Sequence, residues 1–398
     1  MTADAADFSA IHQRMQWYVD EGILPHAFSL IMQGTDIVDY RCFGYMDVES
    51  KTPLREDAIY RMFSNSKLAT SVAAMMLVEE GKLGLDDALT DYLPAFSAPQ
   101  VLIAGATAID QVEPAVSPMT IRQILSHTAG LSYGFVDPES VIDMAYLEGG
   151  INVLAGFDGT LGELCSQLAQ FPLAYQPGTS WAYSLGTDVT AHVVELVSGQ
   201  TFAEFLQQRI FDPLGMSDTG FCISEDKLDR LPAMYAPDDM FDPMAGGLNL
   251  FSEAGAQNYS QIPSWQSGGG GLLSSVADYV TFLRMILSDG EWDGVRLLQP
   301  DTLQLMRTNQ LAEGVGVQFP LWSMPGTQFG LGFALKGEPA EGEPQSAIGE
   351  YHWGGIAGTH TWMSPQAGIT GFCGTQLMPA FWHPFSHDFK RLAYRTVQ

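Results

Sequence analysis

The stretch Phe63-Ser64-Asn65-Ser66-Lys67 opens a mostly apolar segment that runs from Leu68 to Val78 and is followed by Gly81. A glycine just past such a segment is typical of the C-terminal end of a buried helix. Residues three apart on a helix lie one turn apart on the same face, so Lys67 can reach Ser64. The stretch therefore predicts a core helix that carries a serine and a lysine side by side at its N-terminal end.

This serine–lysine pair has the chemistry of an activated nucleophile. A serine hydroxyl is a poor nucleophile until a neighbouring base takes its proton. The positive end of the helix dipole and burial both disfavour an ammonium, so the pKa of Lys67 is expected below its ordinary value. The free amides at the helix start can also stabilise an oxyanion. The pair predicts covalent catalysis by Ser64 with Lys67 as base.

Two other serines match nucleophile motifs. Ser224-Glu225-Asp226-Lys227 repeats the Ser-x-x-Lys pattern, but a polar segment follows it, which indicates a solvated turn. Gly130-Leu131-Ser132-Tyr133-Gly134 matches the nucleophile elbow, which requires a strand before the serine and a helix after it. A helix pattern precedes this motif and no helix pattern follows, so we interpret it as structural. The role of Tyr133 stays open: its side chain could line a cleft or pack in the core.

Composition limits the class of protein and its partners. A chain of 398 residues with 46% hydrophobic residues is long enough for two packed lobes of a globular protein. Its 46 acidic and 18 basic residues give a net charge of −28, which repels nucleic acid and anionic membranes. We expect a small-molecule substrate and no nucleic-acid or membrane partner. The oligomeric state stays open.

The sequence also indicates where the protein is located and whether it binds a metal or cofactor. Residues 1–7 lack the basic and apolar regions of a signal peptide, and no apolar run has the length of a membrane span. The four cysteines are scattered, which is typical of reduced thiols. His383 and His387 lie four apart, but Pro384 separates them and no glutamate accompanies them. We expect a soluble cytoplasmic protein without metal or cofactor.

Hydrophobic periodicity predicts a sheet built from both chain ends around a helical insertion. A helix from Phe8 to Val19 precedes the first strands, and a helix from Phe385 to Tyr394 closes the chain. The predicted strands are Ala27 to Gln33, Asp36 to Phe43, Phe329 to Leu335, Thr359 to Ser364 and Ile369 to Gln376. The predicted class is α/β of the α+β type. Residues 1–83 and 288–398 form the sheet domain and residues 84–287 a mainly helical domain, with the active site between them.

Several local features accompany this plan. Thr120, Thr201 and Ser275 are predicted to cap helices. The run Ser267-Gly268-Gly269-Gly270-Gly271 predicts a backbone bend of special geometry, since glycine adopts conformations that other residues avoid. The segment from Gly337 to Gly349 is rich in Glu, Pro and Gly and predicts an exposed loop.

Five ordered segments together resemble the serine β-lactamase and penicillin-binding-protein superfamily, and most closely class C β-lactamases and family VIII carboxylesterases. The resemblance covers nearly the whole chain and implies the β-lactamase/transpeptidase-like fold. After Ser64-x-x-Lys67 the segments are Ser126 to Leu131, Trp181 to Leu185, Pro213 to Met216, the glycine run at 268–271 and Tyr351 to Thr359.

The resemblance implies a role for each matched residue. Ser64 is the residue that is acylated, Lys67 assists as base, and Tyr183 relays a proton to the leaving group. The backbone amides of Ser64 and Ile356 would form the oxyanion hole.

The chain departs from the family pattern at two positions. Leu185 stands where the Tyr-x-Asn motif has asparagine, and Trp353-Gly354-Gly355 replaces Lys-Thr-Gly, as in family VIII esterases. The missing lysine removes a charge-assisted contact to a substrate carboxylate. Trp353, Gly354, Gly355 and Tyr133 are therefore expected to contact a neutral ester. His352 could partly replace the missing cation and allow weak β-lactam turnover.

These inferences predict a serine carboxylesterase that cleaves short-chain esters through an acyl-enzyme on Ser64. A class C-like β-lactamase or D-alanyl peptidase and an acyltransferase remain alternatives. An inactive binding scaffold is a further alternative, which the intact Ser64, Lys67 and Tyr183 argue against. The physiological substrate stays open.

Overall fold

An antiparallel sheet built from both ends of the chain is the centre of the fold. The computed structural model describes residues 6–251, 258–320 and 324–397. Its strands are β1 (His26–Gln33), β2 (Asp36–Asp47), β3 (Thr52–Pro53), β4 (Ile59–Arg61), β5 (Gln100–Leu102), β6 (Val112–Pro114), β7 (Tyr235–Pro237), β8 (Leu248–Leu250), β9 (Leu273–Ser275), β10 (Glu291–Trp292), β11 (Val295–Arg296), β12 (Thr327–Phe329), β13 (Ala334–Lys336), β14 (Tyr351–Gly354), β15 (His360–Ser364) and β16 (Ile369–Gly374).

Eight of these strands form the main sheet, in the order β12-β13-β14-β15-β16-β1-β2-β3. The last strand of the chain therefore pairs with the first, with Leu30 opposite Phe372. The predicted class, an antiparallel sheet with strands from both chain ends and helices around it, is confirmed.

Side-chain alternation along β1 divides the core into two layers. Phe28 and Leu30 belong to the large cluster that continues into the helical part of the chain. Ala27 and Ile31 point to the opposite face and belong to a second cluster with the N- and C-terminal helices. Because successive side chains of a strand alternate between faces, one buried strand supplies both layers. The sheet is thus covered on both sides.

The helices pack on both faces of the sheet and dominate the part of the chain between β4 and β9. They are α1 (Ser9–Asp20), α2 (Ser66–Glu79), α3 (Ile121–Leu125), α4 (Val141–Glu148), α5 (Leu161–Leu168), α6 (Gly186–Ser198), α7 (Phe202–Leu206), α8 (Asp212–Leu214), α9 (Val276–Leu287), α10 (Pro300–Met306) and α11 (Pro384–Thr396). A π-helical turn, Gln207–Phe211, joins α7 to α8.

The predicted helix caps are confirmed. Thr120 and Thr201 form capping boxes at the starts of α3 and α7, and Ser275 accepts the Asp278 amide at the start of α9. Such side chains satisfy amides that lack a partner in the first helical turn.

The strand predicted from Phe329 to Leu335 is wrong, because two strands and a turn occupy this region. β12 ends at Phe329, β13 begins at Ala334, and the two pair as a hairpin. Gly332 in the turn has a φ of +94°, and a side chain there would collide with Ser71 of α2. Glycine permits both the positive φ of this turn and the close approach of the turn to α2, so the chain can reverse direction here.

Two other local expectations need correction. The glycines at 268–271 do not have positive φ angles; the bend places them against neighbouring atoms, as with Gly268, whose Cβ would lie 2.7 Å from Ala191 Cβ. The segment from Gly337 to Gly349 is only partly exposed. Its Glu343 carboxylate is 8% exposed and pairs with Lys336 and Lys390, because these two cations converge on it from β13 and α11.

The predicted domain boundaries stay a prediction. One continuous apolar cluster includes Phe28 of the sheet and Phe205 of the helical part. No helix within the described ranges has both the length and the apolar character that a bilayer crossing requires.

Candidate active site

Ser64 lies in a tight turn that leads directly into α2. Residues Phe63–Asn65 form a single 3₁₀ turn and α2 begins at Ser66. Phe63 has a φ of +43°, which is unusual for a residue with a side chain. This backbone turns Ser64 out of the core, so its side chain is partly exposed while the following helix is buried. Ser64 is thus accessible at the edge of a rigid element.

The amine of Lys67 lies within reach of three oxygen atoms. Its Nζ is 2.7 Å from the carbonyl oxygen of Gly269, 3.1 Å from the hydroxyl of Tyr133 and 3.3 Å from Ser64 Oγ. A neutral amine has two hydrogens and one lone pair. Since the Gly269 carbonyl only accepts and the Tyr133 oxygen can accept, the lone pair is left for the Ser64 hydroxyl. The predicted contact between Lys67 and Ser64 is present.

Burial lowers the pKa of Lys67 into the range in which its amine can gain and lose a proton near neutral pH. Lys67 is 2% exposed. Removal from water disfavours the ammonium and lowers the pKa of Lys67 to about 7, against a smaller opposing effect of the Asp188 carboxylate. A substantial fraction of the lysine is therefore neutral near pH 7 and able to accept a proton.

Tyr183 completes the group of polar atoms around Ser64. Its ring is 8% exposed, and Lys67 Nζ lies 4.7 Å from the ring centroid. Burial raises the pKa of Tyr183, and hydrogen bonds with Ser64 and Trp353 oppose this only in part. The phenol thus keeps its proton at neutral pH and can donate it.

Trp353 contacts Tyr183 directly. The indole Nε1 donates to the Tyr183 hydroxyl oxygen over 3.3 Å, and the two rings lie 5.3 Å apart. Phe329 and Phe381 pack against the same indole. Trp353, which stands where the Lys-Thr-Gly pattern has lysine, is therefore an apolar wall whose single donor orients Tyr183.

Tyr133 lies closer to the proton network than its sequence context indicated. Its hydroxyl contacts Lys67, and its ring stacks on Tyr183 with centroids 4.9 Å apart. The loop that carries it is held by Asp143, which accepts hydrogen bonds from Ser132 Oγ and the Gly134 amide. The structure thus brings Tyr133 to Lys67, and its contact with a substrate stays a prediction.

The two amides expected to bind an oxyanion lie on neighbouring segments. The turn after β14 is closed by Gly355 and Gly358, so the N–H of Ile356 at its second position is not used by the turn. Asn65 ties this turn to the start of α2, since its amide donates to the Thr359 carbonyl over 3.0 Å. This bridge holds Ser64 and Ile356 in a fixed relation.

The two glycines after Trp353 permit a close approach. A Cβ on Gly355 would lie 2.5 Å from the Met62 carbonyl oxygen, and a Cβ on Gly354 would collide with His360. Both glycines are buried against protein atoms, so their contact with a substrate stays a prediction. Glycine at these positions lets the end of β14 lie directly against the segment before Ser64.

His352 does not replace the missing cation, contrary to expectation. Trp353 faces Tyr183, and alternation along β14 directs His352 to the opposite face of the sheet. There, burial and the charges of Lys390 and Lys336 hold the pKa of His352 well below its usual range. His352 is neutral at physiological pH and lies behind the site.

The competing motifs have structural roles. Ser132 Oγ donates to the buried Asp143, which also accepts the Gly134 amide and so holds the loop. Lys227, in the second Ser-x-x-Lys match, pairs with Asp218 at 2.7 Å. His127 is buried with its Nδ1 2.9 Å from Ser184 Oγ. The residues that are described contain no group of three or more His, Cys, Asp or Glu side chains positioned for a metal ion.

Three residues that support this site were not identified from the sequence. Asn65 joins α2 to the β14–β15 turn, Gly269 supplies the carbonyl that binds Lys67, and Asp188 is a buried carboxylate beside them. The glycine run and the Tyr183 segment were each recognised, but their contact with Lys67 depends on tertiary structure.

A partly exposed serine, a buried lysine and a buried tyrosine lie in one cluster, an arrangement that suits the chemistry of serine hydrolases and acyltransferases. A family model described as "Beta-lactamase" matches residues 11–381, and the chain belongs to this family. Its fold is the β-lactamase/transpeptidase-like fold.

The relatives of the chain include named esterases. The chain is 31% identical over 380 residues to Esterase EstB of Burkholderia gladioli, covering 92% of this chain and 90% of that protein. It is 33% identical over 310 residues to Lovastatin esterase of Penicillium rubens, covering 73% of each. The solved structure of EstCE1, "a hydrolase with promiscuous acyltransferase activity", superposes with a TM-score of 0.79 at 26% identity, covering 97% of this chain and 98% of that one.

Proposed function

We propose that this protein is a serine carboxylesterase that cleaves short-chain carboxylic esters through an acyl-enzyme on Ser64. The observation that carries the proposal is the contact of the buried Lys67 Nζ with Ser64 Oγ at 3.3 Å. A lysine with a pKa near 7 can take the serine proton without a metal or cofactor.

The proposed reaction begins with proton transfer from Ser64 to Lys67. Ser64 Oγ then forms a bond to the ester carbonyl carbon, and the oxyanion that results accepts hydrogen bonds from the Ser64 and Ile356 amides. Tyr183 donates its phenolic proton to the departing alkoxide oxygen as the carbon–oxygen bond breaks. The alcohol leaves, and the acyl group remains on Ser64.

Hydrolysis of the acyl-enzyme reverses the proton movements. Tyr183 regains a proton from the ammonium of Lys67, which lies against its ring, so that the phenol and the neutral amine are restored. A water molecule then gives a proton to the regenerated base and attacks the acyl carbonyl. Ser64 leaves with a proton, and the carboxylic acid is released.

The wall of the site favours a neutral substrate. Trp353 stands where a lysine would meet a substrate carboxylate, and its single N–H is used by Tyr183. His352 faces away and His127 is kept neutral by burial. The side chains described in this cluster thus offer an anionic substrate no fixed positive charge besides Lys67, which must be neutral to act as base. A β-lactam or peptide carboxylate would lack its partner.

Transfer of the acyl group to an alcohol is a second candidate function. EstCE1, a hydrolase with promiscuous acyltransferase activity, supports it. Both reactions share the acyl-enzyme and differ only in whether water or an alcohol attacks it. We propose hydrolysis as the main reaction. We also propose a cytoplasmic location, since the four cysteines are unpaired, which is typical of a reducing compartment.

A substrate panel tests the proposal. Initial rates are measured for p-nitrophenyl esters with acyl chains from two to twelve carbons, and for a chromogenic cephalosporin. The proposal predicts the highest kcat/KM among the short esters. A parallel reaction with added alcohol, analysed by mass spectrometry for a new ester, measures transfer. Preference for the cephalosporin would contradict the assignment.

A further inference from the structure

Asp188 is a fully buried carboxylate close to the proposed catalytic lysine. It lies in the first turn of α6, five residues after Tyr183, and is 0% exposed. Its Oδ1 accepts a hydrogen bond from Ser267 Oγ over 2.7 Å. Its Oδ2 is buried without a hydrogen bond of ordinary geometry from the described residues, although the Gly269 amide and the Trp265 indole face it. Burying a carboxylate in this way is costly unless a positive charge is near.

Lys67 supplies such a positive charge whenever its amine is protonated. A methyl group on Gly269 would lie 2.5 Å from Asp188 Oδ2, 3.2 Å from Lys67 Nζ and 3.0 Å from the Tyr133 hydroxyl. The Asp188 carboxylate and the Lys67 amine therefore both lie next to the Cα of Gly269. They lie too far apart for a direct ion pair but close enough for a strong electrostatic interaction at a site without bulk water. Gly269 has no side chain that could separate them.

The other titratable groups around Lys67 are neutral near pH 7. Burial raises the pKa values of the Tyr133 and Tyr183 phenols and lowers the pKa of the His127 imidazole. On the side of α5, burial also raises the pKa of the Cys165 thiol. Asp188 is thus the one acidic side chain described beside Lys67 that can balance its charge.

We infer that Asp188 is a positioning residue for the proposed reaction: its carboxylate stabilises the ammonium that forms when Lys67 takes the Ser64 proton. In this step the proton moves only from Ser64 Oγ to Lys67 Nζ, and Asp188 acts as the ionised partner. Burial raises the pKa of Asp188, whereas the Ser267 hydrogen bond and the charge of Lys67 oppose this rise. Ser267 fixes the carboxylate through Oδ1 and thereby keeps Oδ2 directed at the Gly269 bend. The same arrangement holds the Gly269 carbonyl against the amine.

The inference rests on the proposed roles of Ser64 and Lys67 but not on the identity of the ester. Its first readout is therefore the pH dependence of Ser64 labelling by a fluorophosphonate, which requires only an activated serine. The second is kcat/KM for a p-nitrophenyl ester over the same pH range. If no ester is cleaved but labelling depends on Asp188 as described, the substrate assignment fails while the positioning role stands.

Asp188→Asn is the principal variant, with Asp278→Asn as its matched control. Asp278 is also buried in the first turn of a helix and accepts a hydroxyl hydrogen bond, from Thr219, but it contacts none of the residues around Ser64. Loss of the carboxylate should move the acidic midpoint of the labelling profile down by about one pH unit and lower the limiting rate at least about tenfold. Asp278→Asn should leave the midpoint unchanged.

Ser267→Ala provides a second variant if Asp188→Asn does not fold, as judged by circular dichroism. It frees the carboxylate without removing it, so a smaller shift of the midpoint in the same direction is expected. A purely structural role for Asp188 would lower the rate without moving the midpoint. An unchanged midpoint in the folded variant, or an equal shift in Asp278→Asn, would overturn the inference.

Discussion

Removal of the amine of Lys67 should affect the rate of reaction far more than substrate binding. Lys67→Met keeps an unbranched side chain as far as Cε and removes the Nζ that lies 3.3 Å from Ser64 Oγ. Loss of a general base costs about 10²–10⁴ in kcat, which corresponds to about 2.7–5.4 kcal/mol of barrier height. KM should change little, since the amine is buried and not expected to hold remote parts of an ester.

Tyr183→Phe should have an effect of similar size, and the two losses should not add. Both side chains interact with Ser64 Oγ, as the Lys67 contact and the influence of Ser64 on the Tyr183 phenol indicate. Once one of them is removed, the other cannot complete the proton transfer, so the double variant should be about as slow as the slower single variant.

The assay is steady-state hydrolysis of a short p-nitrophenyl ester, together with the initial burst of p-nitrophenol. Lys227→Met is the matched control and should keep normal activity, because that lysine lies in the second Ser-x-x-Lys match and pairs with Asp218. Thermal unfolding checks that each variant is folded. Additive losses, or near-normal kcat in either variant, would refute the proton network.

Three further predictions follow from the same contacts. The kcat/KM for a neutral ester should fall about tenfold per pH unit below the Lys67 pKa of about 7, since the protonated amine cannot act as base; a pH profile that is flat down to about pH 5 would contradict this. Trp353→Phe should lower kcat about five- to tenfold with little change in KM, because it removes the donor to Tyr183 and keeps an aromatic ring; a change in KM alone would assign Trp353 to binding. The kcat/KM for a short p-nitrophenyl ester should exceed that for a chromogenic cephalosporin by at least about 10², since the site lacks a cation for the carboxylate; comparable values would favour the β-lactamase alternative.

Local patterns predicted the main elements of the fold. The helix after Ser64, the strand pairs at each chain end and the caps at Thr120 and Thr201 depend on neighbouring residues, and each was predicted close to its observed position. The hairpin at Phe329 was missed because a short run of apolar residues with glycines has the pattern of one continuous strand.

Tertiary contacts explain what the sequence could not predict about the site. The Ser-x-x-Lys spacing places Lys67 beside Ser64 within one helical turn, so this contact was predictable. The neighbours Asp188 and Gly269 come from segments more than a hundred residues away, and no local pattern relates them to Lys67. His352 was expected to replace the missing cation in part, because the bounds of β14, whose alternation directs it away from Tyr183, were not known from the sequence.

Covalent labelling of the wild-type protein tests the central claim most directly. The protein is treated with a fluorophosphonate, digested, and analysed by mass spectrometry to locate the adduct, with Ser64→Ala as control. A single adduct on the peptide that carries Ser64, absent in Ser64→Ala and retained in Ser132→Ala and Ser224→Ala, is the predicted result. An adduct on the peptide that carries Ser132 or Ser224, or no adduct in the folded wild-type protein, would contradict the assignment of Ser64 as the nucleophile.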